Sequence, residues 1–195
     1  ITDGENDFLA LEDLSVYDFV SATRQEGIDY IHCKYALKCL AKFHALSFAY
    51  KDQYPEKFEI LQNKISEMYF SEKYWDWYKN SWKNICICTI DAVEKEYPGT
   101  IYLEKIKKFA TRENLDKLAA TTEDKNHAVF SHGDSWTPNF LFKYKPGSNE
   151  PVDAKMIDFQ LTRCASPILD ISFFIYACST EDLRKDYYLV MLKHY

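Results

Sequence analysis

The chain of 195 residues is long enough to bury one substantial hydrophobic core, since domains commonly contain about 100 to 150 residues. Hydrophobic residues make up 47% of the chain and charged residues 28%, a balance typical of globular proteins that excludes disordered, collagenous and disulfide-rich classes. The formal net charge of −6 argues against a nucleic-acid partner, and no run of about 18 apolar residues is present to span a membrane. We therefore expect a single globular domain over residues 1–195.

Cysteine placement and the N-terminal sequence predict the compartment. No pair of cysteines has the CxxC spacing of a zinc site, and Cys86 and Cys88 are too close together to bind zinc as a pair. Reduced thiols in a cytoplasmic protein fit this distribution better than a disulfide framework does. Residues 1–5 also lack the basic and apolar regions of a secretory signal.

In chain order, the first segments predict a short strand followed by a long helix. Residues 8–11 form an apolar run typical of a buried strand, and residues 1–14 together are predicted to form a hinge strand and a connector. From residue 29 to about residue 50, apolar side chains recur at helical spacing. Pro55 ends this pattern, because proline disrupts the interior of a helix.

Helices also fill the region that follows. Apolar residues between positions 56 and 119 predict two or three further helices, which Pro98 and Gly99 interrupt. The last of these helices covers roughly residues 101–119. Residues 29–119 are therefore predicted to form one helical subdomain.

The hydrophobic period changes in the C-terminal half. Residues 128–131, 140–144 and 154–158 are short strand-like segments, and the turn-forming residues 145–149 lie between the second and the third. This order predicts a β-hairpin within a compact region over residues 128–160.

Helices are expected again at the C-terminal end, over residues 166–195. Ser166 suits a helix N-cap and Pro167 the first helical position, and an apolar stretch follows over residues 168–177. An amphipathic helix is expected over residues 180–195. The order of a strand, helices, a hairpin and helices indicates an α+β fold.

The residues best suited to catalysis lie around the hairpin. Asp134 and Asn139 are five positions apart before its first strand, and Asp158 stands at the end of its second strand. Phosphoryl transfer uses a carboxylate that orients the attacking hydroxyl group and accepts its proton, together with oxygen ligands that hold Mg²⁺ against nucleotide phosphates. The returning hairpin would place Asp158 beside Asn139, so that the two side chains could share one ion.

These motifs resemble those of kinases. The spacing of His132, Asp134 and Asn139 resembles the protein-kinase catalytic loop, and Asp158 resembles its later magnesium-binding aspartate. Gly133, however, stands where protein kinases have arginine, and this feature is similar to the aminoglycoside-phosphotransferase and choline-kinase branch.

Within that branch, the chain resembles the insect ecdysteroid kinase-like family. Gln160 follows Asp158 and Phe159, where protein kinases have the glycine of their D-F-G motif. The resemblance extends over nearly the whole chain in the same order. The segments that carry it are 11–14, 40–47, 132–139, 157–160 and 163–170.

The resemblance implies a protein-kinase-like fold, of which this chain is a mostly helical C-lobe with a small catalytic β-hairpin. The N-lobe is expected to be absent, since no glycine-rich phosphate loop or phosphate-binding lysine can be placed before residue 8. The missing N-lobe of the same protein is therefore an expected partner. We expect negligible kinase activity from the 195-residue chain alone.

The resemblance also implies roles for single residues, with ATP and Mg²⁺ as cofactors. Asp134 would be the catalytic base, and Asn139 and Asp158 would coordinate Mg²⁺. The substrate would be a small molecule with an alcohol group, such as an ecdysteroid or another sterol. The hinge that offers backbone groups to adenine would consist of Glu12, Asp13 and Leu14.

Three further residues have structural interpretations, and a fourth, Trp136, has two. His132 is expected to orient the loop, and Asp170 to accept hydrogen bonds from backbone N–H groups of the catalytic loop. His44, on an apolar helix face, is expected to be a core histidine with its hydrogen bonds satisfied. For Trp136, loop packing and substrate contact remain equal alternatives.

Other functional classes are open at this point. The main alternative is a catalytically inactive binding protein with a kinase fold, or a fragment without function. A metal-dependent phosphoesterase is weaker, because no histidine cluster or second acidic pair supplies a site for two metal ions.

Overall fold

The computed structural model describes residues 8–22, 27–123 and 126–195, which fold into helices and short antiparallel strands compatible with the predicted α+β class. The helices of these ranges are α1 (Tyr30–Gln53), α2 (Pro55–Gln62), α3 (Trp75–Glu96), α4 (Ile101–Phe109), α5 (Arg112–Ala120), α6 (Ile168–Cys178) and α7 (Glu181–His194). The strands are β1 (Phe19–Ser21), β2 (Val129–Ser131), β3 (Phe140–Tyr144), β4 (Pro151–Met156) and β5 (Arg163–Ala165). Within the same ranges, no helix combines the length and apolarity needed to cross a membrane.

The predicted helices are confirmed except at one place. Helix α1 ends just before Pro55, and Pro98 and Gly99 separate α3 from α4, as expected. The single helix predicted over residues 101–119 is wrong, since α4 and α5 share this range. Thr111 caps α5 by accepting a hydrogen bond from the amide of Asn114 at 3.3 Å, and this cap starts a new helix within an apolar pattern that looks continuous.

The buried strand predicted over residues 8–11 is also wrong. Residues 8–13 have no regular secondary structure, and Leu9 and Leu11 are 80% and 76% exposed. A strand needs a neighbour that accepts its backbone hydrogen bonds, and the segment that pairs with β3 is β1, where Phe19 is buried. Residues 1–7, the rest of the predicted hinge strand, lie outside the described residues.

The chain divides into two compact units. The first, called the sheet unit, comprises Ile1–Ala41, Ser135–Asp158 and Phe173–Tyr195. The second, called the loop unit, comprises Lys42–Asp134 and Phe159–Ser172. The predicted catalytic loop therefore begins in the loop unit and continues into the sheet unit.

The sheet unit contains an antiparallel sheet with the strand order β1, β3, β4. β3 and β4 are the predicted hairpin, and they pair Phe140 with Met156 and Phe142 with Ala154. Phe140 and Phe142 point to the same face, because side chains alternate along a strand, and both are fully buried. The ring of Phe140 lies 5.4 Å from that of Phe174 in α6. The hairpin thus rests on a buried aromatic core.

The loop unit contains the antiparallel pair β2 and β5, which places Phe130 opposite Cys164. Phe130 stacks on Phe58 of α2 with ring centres 4.5 Å apart, and its amide donates a hydrogen bond to Ser47 Oγ of α1 at 2.7 Å. Burying an aromatic side chain stabilises a fold by about 2 kcal/mol. These contacts therefore fix the position at which β2 ends and the catalytic loop begins.

Candidate functional site

The loop after β2 is held by a close approach at Gly133. Gly133 has φ of 83°, in the left-handed region that favours glycine. A Cβ atom at this position would lie 1.9 Å from the carbonyl oxygen of Leu161. Only glycine allows the backbone to pass so close to the segment before β5. This close approach explains why glycine stands between His132 and Asp134.

Asp170 holds the same loop from the first turn of α6. One carboxylate oxygen, Oδ2, accepts a hydrogen bond from the amide of His132 at 2.6 Å, and Oδ1 accepts one from the amide of Gly133 at 2.9 Å. Oδ2 also lies 3.1 Å from Nε2 of His44. Asp170 and His44 are 2% and 1% exposed. These contacts confirm the structural interpretations of Asp170 and His44.

His132 orients the peptide that leads into Asp134. Its side chain is fully buried, and its Nδ1 accepts a hydrogen bond from the amide of Asp134 at 3.3 Å. The imidazole ring also lies 4.8 Å from the ring of Phe159. The expectation that His132 orients the loop through hydrogen bonds is confirmed.

Asp134 has an aromatic neighbour within the loop unit, Tyr69, that the sequence did not indicate. Burial raises the pKa of the Tyr69 phenol, and the negative charge of Asp134 raises this pKa further. Arg163 lies over the Tyr69 ring, 5.1 Å from its centre, and forms an ion pair with Glu67 at 3.5 Å. Glu67 and Tyr69 lie far from Asp134 in sequence and carry no motif, so only the folded chain relates them to the loop.

The backbone of Asn139 lies beside the end of the returning strand in the sheet unit. Asn139 immediately precedes β3 and is buried, and its carbonyl oxygen accepts a hydrogen bond from the amide of Ile157 at 3.0 Å. The first residue pair of the hairpin, Phe140 with Met156, lies next to this bond. The predicted juxtaposition of Asn139 with the end of the returning strand is therefore confirmed at the level of the backbone.

Asp158 differs from its predicted position on the strand. β4 ends at Met156, and Asp158 follows with φ of 64°, a left-handed conformation that is uncommon outside glycine. Aspartate tolerates this region better than most residues, but the conformation still costs free energy, and such costs concentrate at functional sites. Asp158 is exposed, whereas Asn139 is buried.

The oxygen atoms of Asn139 and Asp158 suit a magnesium ion that also keeps phosphate and water ligands. They are too few for a metal ion that is bound by protein side chains alone. Mg²⁺ is commonly bound through one or two protein carboxylates while phosphates and water complete its coordination. Among the described residues, no group of three or more His, Cys, Asp and Glu side chains could hold a metal ion. An Asp and an Asn alone therefore fit an ion that arrives with a nucleotide.

The predicted hinge residues lie in the sheet unit. Asp13 accepts a hydrogen bond from the amide of Ser15 at 2.9 Å and caps the short 3₁₀ helix Leu14–Tyr17. Hydrogen bonds from Ser15 lower the pKa of the Asp13 carboxyl group. Adenine binding by backbone groups of Glu12, Asp13 and Leu14 stays a prediction.

The comparisons with known proteins agree with the motifs around this site. A family model described as the ecdysteroid kinase-like family matches residues 2–195. No curated protein and no solved structure matches the chain. Because the family match extends over nearly the entire sequence, the chain belongs to the ecdysteroid kinase-like family.

Proposed function

We propose that this chain is the mostly helical C-lobe of a kinase-like fold that transfers a phosphoryl group from ATP to an alcohol group of a small molecule. Membership of the ecdysteroid kinase-like family supports this class of activity, and an ecdysteroid or related sterol is the substrate that we propose. A cytoplasmic location and the absence of a nucleic-acid partner stay predictions.

The observation that carries the proposal is the loop before Asp134. A buried carboxylate, Asp170, holds the amides of His132 and Gly133, and the Gly133 backbone lies against Leu161. These contacts hold two consecutive backbone amides and thereby constrain the direction of the Asp134 side chain that follows. Rigid placement of a general base is a requirement of phosphoryl transfer, in which the protein mainly positions and stabilises the reacting groups.

In the proposed reaction, Asp134 orients the substrate hydroxyl group and accepts its proton. Asn139 and Asp158 would hold Mg²⁺, which when bound neutralises charge on the nucleotide phosphates. The hinge residues Glu12, Asp13 and Leu14 would offer backbone groups to adenine. Ser135 to Pro138 are the residues that connect the proposed base to the first proposed metal ligand.

Replacing the proposed base tests the reaction directly. In the full-length gene product, Asp134→Asn should lower kcat by about 10²- to 10⁴-fold, because the amide cannot accept the proton, while the melting temperature stays close to that of wild type. The measurement is ATP-dependent gain of a phosphate on an ecdysteroid or another sterol alcohol, followed by mass spectrometry. Asp116→Asn, an exposed change of the same chemistry, should leave the rate unchanged.

Two results would overturn the proposal. If Asp134→Asn keeps the wild-type rate, Asp134 is not the base. If the wild-type full-length protein binds a sterol but transfers no phosphate to any alcohol tested, the protein is a non-catalytic binding protein with a kinase fold.

Replacing a proposed metal ligand tests the magnesium site separately. Asp158→Asn keeps the side-chain shape and tolerates the left-handed conformation of this position, so its melting temperature should stay close to that of wild type. Loss of the carboxylate charge should raise the Mg²⁺ concentration needed for half-maximal activity by roughly 10-fold or more. A titration of activity with MgCl₂ at saturating ATP measures this shift, and an unchanged midpoint would exclude Asp158 as a ligand.

A further inference from the structure

Arg163 connects two parts of the loop unit through one buried guanidinium group. As the first residue of β5 it pairs with Ser131, the last residue of β2, and it is 9% exposed. Its Nη2 donates a hydrogen bond to the carbonyl oxygen of Gly133 at 3.4 Å, and its Nη1 lies 3.5 Å from the carboxylate of Glu67. A buried positive charge persists only where such partners compensate for its desolvation.

The contact with Gly133 acts on the peptide that carries Asp134. The carbonyl oxygen of Gly133 and the N–H group of Asp134 belong to the same planar peptide unit. Arg163 holds the oxygen of this unit, and Nδ1 of His132 accepts the hydrogen bond of its N–H group at 3.3 Å. Because both polar groups of this peptide unit are hydrogen-bonded, the orientation of its plane is fixed. The position of the Asp134 Cα atom, from which the side chain extends, is fixed with it.

The contact with Glu67 orders a second segment. The same carboxylate oxygen, Oε1, accepts hydrogen bonds from the amides of Tyr69 at 2.9 Å and Phe70 at 3.4 Å. The guanidinium group lies over the Tyr69 ring, 5.1 Å from its centre. Arg163 therefore anchors the segment before α3 as well as the catalytic loop. A lysine could not make all of these contacts at once, because it lacks the planar fork of donors.

We propose that Arg163 is a positioning residue for Asp134, which acts by holding the Gly133–Asp134 peptide, and that Glu67 serves as its counter-charge. The inference rests on the proposed phosphotransferase function. Arg163 would raise the rate by orienting the backbone of the loop, without contacting the substrate.

A double-mutant design separates positioning from charge balance. Arg163→Met removes the hydrogen bond to the carbonyl oxygen of Gly133 and leaves Glu67 without its counter-charge. Glu67→Gln keeps the donor of that hydrogen bond. The double variant Arg163→Met/Glu67→Gln removes both charges together. Arg163→Lys keeps the charge but loses the bridging geometry.

The expected results differ between rate and stability. Arg163→Met should lower kcat by about 100-fold with little change in the KM for ATP, because displacement of a catalytic group by about 1 Å has an effect of this size. The double variant should regain much of the melting temperature that Arg163→Met loses, but not the rate. Arg163→Lys should be stable and at least about 10-fold slower than wild type, and Glu67→Gln should lower kcat by less than Arg163→Met does, because the donor to Gly133 is still present.

Hydrogen–deuterium exchange gives a readout that does not depend on catalysis. Without any substrate, the amide of Asp134 should exchange at least about 10-fold faster in Arg163→Met and in the double variant than in wild type. Arg112→Met is the matched control, since Arg112 also lies 5.1 Å from an aromatic ring centre (Trp75) and pairs with a carboxylate (Asp116), but its side chain is 55% exposed. It should change neither the rate nor the exchange.

The outcomes decide the two proposals independently. If the double variant has wild-type kcat and wild-type exchange at Asp134, Arg163 only balances Glu67, and the positioning role is overturned. If wild type transfers no phosphate but the exchange differences appear as expected, the proposed function fails while the hold of Arg163 on the loop stands.

Discussion

Gly133→Ala is expected to destabilise the protein by roughly 3 kcal/mol or more and to abolish measurable phosphoryl transfer. A left-handed backbone costs an alanine about 1 to 2 kcal/mol. The new Cβ would also lie 1.9 Å from a backbone carbonyl oxygen of Leu161, which cannot rotate away as a flexible side chain could. Overpacking of this kind adds about 1 to 3 kcal/mol. For a chain of this size, the melting temperature should fall by about 6 to 12 °C.

Gly99→Ala is the matched control for this experiment. Gly99 lies in the same unit with φ of 68°, and an added Cβ would meet no atom within 4 Å. The control therefore carries only the cost of the left-handed backbone, about 1 to 2 kcal/mol, without the clash. Thermal denaturation of both variants in the full-length protein measures the difference. Equal melting temperatures would show that the loop can move away from Leu161 at no cost, against the role argued for Gly133.

The second large effect is expected at Asp170. Asp170→Ala leaves the amides of His132 and Gly133, together with the ring of His44, without the carboxylate that accepts their hydrogen bonds. Loss of a buried charged acceptor costs about 3 to 5 kcal/mol. We expect a fall in melting temperature of about 6 to 20 °C, together with loss of phosphoryl transfer because the loop before Asp134 is released.

Asp170→Asn refines this test. Hydrogen-bond donors approach both carboxylate oxygens of Asp170, so either orientation of an asparagine amide turns its NH₂ group toward a donor. We expect this variant to lose about half as much stability as Asp170→Ala. Asp182→Ala is the control, since Asp182 occupies the first turn of α7 with its side chain 92% exposed. It should cost no more than about 1 kcal/mol. An Asp170→Asn variant with wild-type stability and activity would contradict the proposed hold on the loop.

Segments whose structure depends on nearby residues were predictable from sequence. Helix α1 and the hairpin of β3 and β4 follow from hydrophobic period and turn residues. Helix α6 begins at Ile168, one residue after the predicted first position at Pro167, and Ser166 accepts a hydrogen bond from the amide of Ile168 at 3.4 Å. The prediction failed where the same local sequence pattern is compatible with two different structures. The cap at Thr111 divides one apparent helix, and the apolar run of residues 8–11 resembles a strand but forms no regular secondary structure.

Some residues of the candidate site were likewise predictable from sequence, and others were not. Asp134, Asn139 and Asp158 were identifiable because their spacing suits phosphoryl transfer and matches a family motif. The predicted hairpin also placed the end of its second strand beside Asn139, and the amide of Ile157, the residue before Asp158, donates a hydrogen bond to the carbonyl oxygen of Asn139. Glu67 and Tyr69 carried no signal, since neither residue belongs to a motif.

The sequence by itself therefore determined the family, the order of helices and hairpin, and the residues proposed for catalysis, because motif spacing and hydrophobic period are properties of neighbouring residues. The sequence also indicated Asp170 as an acceptor for the loop before Asp134, but only the tertiary structure decided which other contacts hold this loop. The backbone of Leu161 lies against Gly133, and the guanidinium group of Arg163 donates a hydrogen bond to the carbonyl oxygen of Gly133. Both are contacts between segments that are distant in sequence. Such contacts depend on how helices and strands pack, and no local pattern encodes that packing.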